Sequence, residues 1–135
     1  KIIIPKDFGV ASSFESSNNI KKKNSLNKDE IILDIGPETI KNIENIIDNS
    51  NTILWNGPAG YFENKNFSVG TNAIAKKISE NTINKSLISV IGGGDTVSAV
   101  NKIEKKLIFS HLSTAGGAFL EYLEGKDLPG LSVLK

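Results

Sequence analysis

Three parts of this 135-residue chain share one layout, and that layout is what most constrains its fold. Each part begins with a short apolar run, turns through residues rich in glycine, and continues into a stretch suited to a helix. The three copies span residues 52 to 63, 87 to 96 and 107 to 118. Strands that alternate with helices at this spacing predict an α/β fold: a doubly wound, largely parallel sheet in a Rossmann-like, three-layer arrangement. Right-handed crossovers would bring the strand-end turns to one edge of the sheet, where such folds bind ligands.

Apolar spacing predicts the other elements. We expect strands at 1 to 5, 8 to 11, 31 to 33, 52 to 55, 87 to 91 and 107 to 109, and helices at 37 to 49, around 73 to 78, at 94 to 102 and at 117 to 123. Residues 15 to 29 are rich in Ser, Asn and Lys, which predicts a solvated loop with Lys21 to Lys23 at its tip. Trp55 ends an apolar run, and we expect it in the core rather than as a stacking platform.

Composition excludes several classes of protein. The net charge is +1, from 16 basic and 15 acidic residues, so a nucleic acid or an anionic membrane is disfavoured as a partner. Cysteine is absent, which excludes disulfides and thiolate metal sites. No apolar run approaches the roughly 20 residues of a membrane span, so we expect a cytoplasmic protein. The chain has no Met and opens on the apolar run Lys1 to Pro5, so we expect a piece of a larger protein.

The second glycine turn, Gly92-Gly93-Gly94-Asp95-Thr96, indicates an anion site. Each glycine costs roughly 0.5–1 kcal/mol in backbone freedom, which packing alone rarely explains. Glycines let bare N–H groups approach a phosphate at the positive end of the following helix. Asp95 would hold Mg²⁺, which prefers a carboxylate together with phosphate oxygens and water. The plainer alternative is that Asp95 is an ordinary N-cap and that the glycines only form the turn.

The first turn places Asn56, Gly57 and Pro58 before a carboxylate, Glu63. A carboxylate can accept hydrogen bonds from two neighbouring hydroxyls, as on a ribose, while glycine and proline shape a flat slot for a base. The alternative is a surface glutamate that happens to follow a β-turn. Neither the Walker pattern nor a Gly-x-Gly-x-x-Gly fingerprint occurs, so the common P-loop and dinucleotide sites are not predicted.

The third turn carries Ser113, Thr114, Gly116 and Gly117, and we expect it to be a hinge or a phosphate-side loop. The only histidine, His111, precedes it. Phosphoryl transfer to a carboxylate requires no proton removal, so a structural or hinge role is favoured for His111 over acid–base catalysis.

Four motifs, in order, resemble the signatures of the carboxyl-terminal, nucleotide-binding lobe of phosphoglycerate kinase. They are Ile32 to Pro37, Trp55 to Glu63, Ile91 to Thr96 and His111 to Lys126. The resemblance covers essentially the whole chain. It implies that residues 1–127 are a part of that lobe, and that the tail, residues 128–135, packs on an amino-terminal lobe that is missing here. Leu131, Val133 and Leu134 are then expected to be exposed.

The resemblance also implies a site for ATP or ADP with Mg²⁺. In the family, the matching residues contact the nucleotide phosphates (Asn56, Gly92, Gly93, Gly94, Thr96), the metal (Asp95), the ribose (Glu63) and the adenine (Leu33), beside the slot for a base expected at Gly57 and Pro58. No catalytic residue is assigned. We expect Asp95, the glycine triplet and Glu63 to meet along one rim, around a space shaped for an adenine nucleotide. Two departures from the family pattern are Tyr61, where a small aliphatic residue is usual, and Ala115, where a glycine is usual.

The activity implied by the resemblance is transfer of a phosphoryl group between 1,3-bisphosphoglycerate and ADP in glycolysis, giving 3-phosphoglycerate and ATP, by a protein that is monomeric at full length. The phosphoglycerate would bind through the missing lobe, which is rich in arginine in that family. This chain contains no arginine, so we expect no turnover by the chain alone. A non-catalytic module that binds nucleotide is the alternative, and a dehydrogenase-type half domain is a third hypothesis that lacks its fingerprint.

Overall fold

The computed structural model describes residues 2–134. Its strands are β1 Asp7–Ala11, β2 Asn19–Lys22, β3 Ile31–Ile35, β4 Thr52–Asn56, β5 Ile88–Gly92 and β6 His111–Ser113. Its helices are α1 Pro37–Asp48, α2 Val69–Asn84, α3 Gly94–Asn101, α4 Gly117–Leu123 and α5 Pro129–Ser132, with single 3-10 turns at Lys23–Ser25 and Lys65–Phe67. The predicted helices are therefore confirmed, and none of the described helices is both long and apolar enough to cross a membrane.

The expected parallel sheet is formed by β4, β5 and β6, with β5 in the centre. Trp55 pairs with Ile91 across β4 and β5, and both side chains enter the main core, as predicted for Trp55. Helices α1, α2 and α3 contribute Ile47, Ile74, Ile78 and Val100 to that core. Side chains alternate between the two faces of a strand. On the opposite face of this sheet, Leu54 and Ile88 are 45% and 55% exposed.

The first three strands form a separate antiparallel sheet in the order β2-β1-β3, which the sequence did not predict. The solvated loop expected over residues 15 to 29 is wrong in part, because it contains β2 and a 3-10 turn. β2 is a polar edge strand in which Lys21 pairs with Glu30 at 2.6 Å. Lysine on an edge strand discourages pairing with another chain, and it also removes the apolar alternation by which strands are recognised.

Two predicted strands are wrong in position. Ile2 to Pro5 have no regular structure, and Lys1 lies outside the described residues. The strand expected at 107 to 109 is displaced to His111–Ser113. The reason for the displacement is a reciprocal pair of side-chain bonds: the Ser89 N–H donates to Ser110 Oγ at 3.1 Å, and the Ser110 N–H donates to Ser89 Oγ at 3.0 Å. These bonds use the backbone N–H groups of Ser89 and Ser110, which would otherwise be available for backbone pairing between two strands.

The amino end of helix α1 is capped by a carboxylate from strand β1. Asp7 of β1 accepts hydrogen bonds from the N–H groups of Glu38 at 2.9 Å and Thr39 at 2.8 Å, and from the Thr39 hydroxyl at 2.6 Å. Burial alone would raise the pKa of Asp7, but these hydrogen bonds outweigh it and hold that pKa below its usual value. Gly36, the residue before the helix, has no room for a Cβ because the Asp7 carboxylate lies against it.

The far end of α1 is joined to α2 by polar contacts. The Asp48 carboxylate lies 2.8 Å from Lys77 Nζ and 2.6 Å from Lys85 Nζ, and these two lysines together with Asn81 hold its pKa well below the usual value. Asn81 is buried and also donates to the Ile47 carbonyl at 3.3 Å. Helices α1 and α2 are thus tied together on the side away from the strand-end turns.

Candidate functional site

The three predicted turns meet at the carboxyl edge of the parallel sheet. Asn56, the last residue of β4, pairs with Gly92, the last residue of β5. Gly92 in turn pairs with Ser113, the last residue of β6. Each turn therefore leaves its strand at the same level of the sheet, as the βαβ pattern predicted. This is the edge at which open α/β sheets bind ligands.

The first and second turns are joined by direct hydrogen bonds. The Gly57 N–H donates to the hydroxyl of Thr96, in the first turn of α3, at 2.8 Å. The indole N–H of Trp55 donates to the Gly57 carbonyl at 2.7 Å, which fixes the turn from the core side. Thr96 is buried, and its hydroxyl oxygen is already engaged as the acceptor of this bond from the first turn. This contact connects two motifs that lie 39 residues apart in the sequence.

The three consecutive glycines have different surroundings. Gly93 has φ +88°, a conformation that favours glycine, and a Cβ there would lie 2.7 Å from Asn56 Oδ1. A Cβ on Gly92 would lie 3.1 Å from the ring of Phe119, which approaches from α4. Gly94 is exposed, begins α3 and has open space where a Cβ would be. Backbone shape thus requires a glycine at position 93 but not at 94.

Asp95 lies in the first turn of α3 and is exposed. Helix N-termini favour negative charge, and a single carboxylate there suits a Mg²⁺ ion that takes its other ligands from phosphate and water. Within residues 2–134 no group of three or more acidic or histidine side chains could hold a metal without such a ligand. Mg²⁺ at Asp95, with its other ligands supplied by a nucleotide and water, stays a prediction.

Leu33 and Pro58 line one cavity of about 320 Å³ between β3 and the first turn. Tyr61 also borders it and is 37% exposed, so the departure from the family pattern lies on the cavity wall. The Tyr61 N–H donates to the Leu33 carbonyl at 2.7 Å, and its ring meets that of Phe14 edge to face, with centroids 5.3 Å apart. The structure thus brings Leu33 and Pro58 to one cavity, whereas Gly57, the third residue predicted on the base side, does not line it; contact with a base stays a prediction.

Glu63 borders a different cavity. That cavity, of about 680 Å³, lies at the carboxyl end of α3 and is lined there by Ala99 and Lys102. Ala99 is one helical turn after Asp95, and Lys102 lies 4.7 Å above the ring of Phe62. The expectation that Glu63, Asp95 and the glycines share one rim around a nucleotide therefore stays a prediction.

The third turn lies against the second. A Cβ on Gly116 would be 3.5 Å from the Gly93 Cα, and the Ser113 hydroxyl donates to the Ala115 carbonyl at 3.4 Å. Gly117 begins α4, and Thr114 is exposed in the turn between β6 and α4. His111 is exposed in β6, where it pairs with Val90. A hinge or phosphate-side role for this turn stays a prediction.

Sequence reasoning missed two buried polar residues behind the cavity of Leu33 and Pro58, namely Asp34 and Thr71. Asp34 Oδ2 accepts the Gly70 N–H at 3.0 Å, and Asp34 Oδ1 accepts the Ile35 N–H at 2.8 Å. Burial raises the pKa of Asp34, although these hydrogen bonds act against that rise. The one available signal was a charged residue inside an apolar strand, since unpaired aspartates are rarely buried.

Comparison with known proteins gives a consistent result. The family model described as phosphoglycerate kinase matches residues 1–126. The phosphoglycerate kinase of Francisella tularensis subsp. novicida is 48% identical over 136 residues, which cover 99% of this chain and 34% of that protein. The phosphoglycerate kinase of Xanthobacter autotrophicus is 44% identical over 137 residues, which cover 100% of this chain and 35% of that protein.

Solved structures agree with these sequence matches. The phosphoglycerate kinase of Coxiella burnetii superposes with a TM-score of 0.87 at 38% identity, covering 98% of this chain and 34% of that one. The enzyme of that name from Pyrococcus horikoshii gives a TM-score of 0.80 at 31% identity, covering 96% of this chain and 31% of that one. The chain spans about a third of the length of the curated relatives it matches.

Proposed function

Because the chain belongs to the phosphoglycerate kinase family, we propose that it supplies the nucleotide-binding part of an enzyme that transfers a phosphoryl group between 1,3-bisphosphoglycerate and ADP. The observation that carries the proposal is the alignment of Asn56, Gly92 and Ser113 at one edge of the parallel sheet. That edge joins a positively polarised helix end, a carboxylate suited to Mg²⁺ and a neighbouring cavity suited to a base. The proposed setting is glycolysis in the cytoplasm.

In the proposed site each group has a separate task. The N–H groups of Gly93 and Gly94 and the amino end of α3 face the nucleotide phosphates. Asp95 holds Mg²⁺, which when bound would neutralise phosphate charge. Leu33 and Pro58 contact the adenine, and Glu63 accepts hydrogen bonds from the ribose. Phosphoryl transfer depends mainly on positioning and on charge neutralisation, so these residues act by holding the nucleotide in place.

Binding is tested by calorimetric titration of the 135-residue chain with ADP, with and without Mg²⁺. We expect Asp95→Asn to weaken binding of the Mg²⁺ complex by about tenfold, equivalent to about 1.4 kcal/mol, and to leave metal-free ADP less affected. Asp29→Asn, which makes the same change on an exposed loop residue, should bind as the wild type does. Equal affinities for the Asp95→Asn chain and the wild type in Mg²⁺ would refute the metal role.

A non-catalytic nucleotide-binding module is the second candidate, and the absence of arginine favours it for the chain by itself. A coupled assay that follows ATP formation from bisphosphoglycerate separates the two. We expect no turnover by the chain alone and restored turnover when it is mixed with a polypeptide that carries the unmatched two-thirds of a relative. Nucleotide binding without turnover in that mixture would support the module, and turnover by the chain alone would contradict our expectation.

A further inference from the structure

We propose that Asp34 and Thr71 are positioning residues for the base: they hold the segment from Ala59 to Tyr61 against β3 and so set the width of the cavity lined by Leu33 and Pro58. This inference rests on the proposed function, because it takes the base of a nucleotide as the occupant of that cavity. Asp34 borders the cavity through β3, and the Thr71 side chain reaches its wall from α2.

Thr71 fixes the segment through its hydroxyl. Its Oγ1 accepts the Ala59 N–H at 3.0 Å and the Gly60 N–H at 3.3 Å. Thr71 has no exposed surface, so water cannot replace the hydroxyl as the acceptor of these bonds. Both N–H groups belong to residues that line the cavity. Removing the hydroxyl would leave two donors of the wall without that partner, which is costly for groups held away from solvent.

Asp34 fixes the same segment by contact and through the helix behind it. A Cβ added to Gly60 would lie 2.5 Å from Asp34 Oδ1, so the backbone of Gly60 rests on the carboxylate. The same carboxylate accepts the N–H of Gly70, in the first turn of α2. Ser68, the residue before α2, gives the helix no side-chain cap of its own. Asp34 therefore sets the distance between β3, the cavity wall and the helix that carries Thr71.

These contacts explain why a carboxylate is buried in this strand. The positive end of α2 and its N–H donors stabilise the charge. The Tyr61 N–H, at the end of the same segment, donates to the carbonyl of Leu33, the residue before Asp34 in β3. The segment from Ala59 to Tyr61 is thus held from β3 and from α2 at once, and a change on either side would move the wall.

The first test needs no ligand. Amide hydrogen exchange, followed by NMR, is compared between the wild-type chain and the variants Asp34→Asn, Thr71→Val and Thr71→Ser. We expect exchange at Ala59, Gly60 and Tyr61 to quicken by about tenfold relative to α1 in the first two variants, and to return to the wild-type rate in Thr71→Ser, which keeps the hydroxyl. Asn81→Ala, at the opposite end of α2, controls for general loss of stability.

The second test compares ADP with inorganic pyrophosphate, a ligand without a base, by titration of the same chains. Thr71→Val and Asp34→Asn should lose about tenfold in ADP affinity while pyrophosphate affinity stays within about twofold of the wild-type value. Equal losses for both ligands, or an exchange pattern like that of Asn81→Ala, would overturn the inference. Failure of the wild-type chain to bind ADP would instead refute the proposed function, and the exchange rates would still decide whether the two residues hold the wall.

Discussion

Two neighbouring glycines, Gly93 and Gly94, should respond to the same substitution with opposite signs. Gly93 has φ +88° and ψ 137°, a conformation that L-residues rarely adopt, and its missing Cβ would lie 2.7 Å from Asn56 Oδ1. Gly94 starts α3 without a positive φ, and nothing lies within 4 Å of where its Cβ would be. The pair therefore separates a glycine required by the backbone from one that the fold does not require.

The magnitudes follow from these local geometries. Forcing alanine into the conformation of Gly93 costs about 1–3 kcal/mol, and displacing Asn56 adds to this, so we expect Gly93→Ala to lower the free energy of unfolding by about 2 kcal/mol or more. In Gly94→Ala the backbone is already helical, so reduced freedom of the unfolded chain should stabilise the protein by about 0.4–1 kcal/mol. For a chain of this size each kcal/mol shifts Tm by roughly 3–5 °C.

Urea denaturation followed by circular dichroism measures both changes, and ADP titration adds the functional comparison. We expect Gly94→Ala to unfold at higher urea concentration yet to bind ADP more weakly, because its methyl group stands where a phosphate would approach the helix end. A Gly94→Ala protein with unchanged ADP affinity would contradict the proposed phosphate contact. A Gly93→Ala protein as stable as the wild type would refute the assignment of its backbone conformation.

Two further predictions concern carboxylates away from the proposed site. Folding lowers the pKa of Asp7, so its contribution to stability is present above about pH 3.8, the ordinary value, and is lost as pH falls through the folded pKa. Asp7→Asn should therefore flatten the rise of the unfolding free energy with pH at and below that value. An unchanged pH dependence of the unfolding free energy, measured by urea denaturation at each pH, would count against this prediction. Asp48→Asn should lower Tm at low salt, because it removes the two ion pairs of Asp48 between α1 and α2. At about 1 M NaCl screening weakens those pairs in the wild type, so the difference in Tm between the two proteins should shrink. A difference in Tm that does not depend on salt would show that packing, not charge, is responsible.

Repeated local patterns made half of the fold predictable. The strand, turn and helix around Trp55 and around Ile91 follow from apolar runs and glycine, and the structure places both strands side by side in the parallel sheet. The start of α1 at Pro37 and the end of α4 before Gly125 follow from the known preferences of proline and glycine at helix ends. In each case the information lies within a few neighbouring residues.

The antiparallel sheet was not predictable by the same means. β2 contains Ile20 as its only apolar residue, and that side chain is 53% exposed, so no alternation marks the strand. The strand exists because its backbone pairs with β1, a contact between segments that local pattern does not connect. The displaced position of β6 was not predictable for a similar reason. The two hydrogen bonds between Ser89 and Ser110 join segments 21 residues apart, so no local sequence pattern indicates them.

Long-range capping connects this sheet to the proposed site. Asp7 of β1 accepts the N–H of Thr39, 32 residues later, and Asp34 of β3 accepts the N–H of Gly70, 36 residues later. A sequence search for helix caps examines the residue just before each helix, and here those residues give no side-chain bond. Because each cap belongs to a strand, the position of α2 depends on β3 rather than on its own flanking sequence. The wall of the cavity lined by Leu33 and Pro58 lies between β3 and α2, so its position depends on the antiparallel sheet, which the glycine motifs do not include.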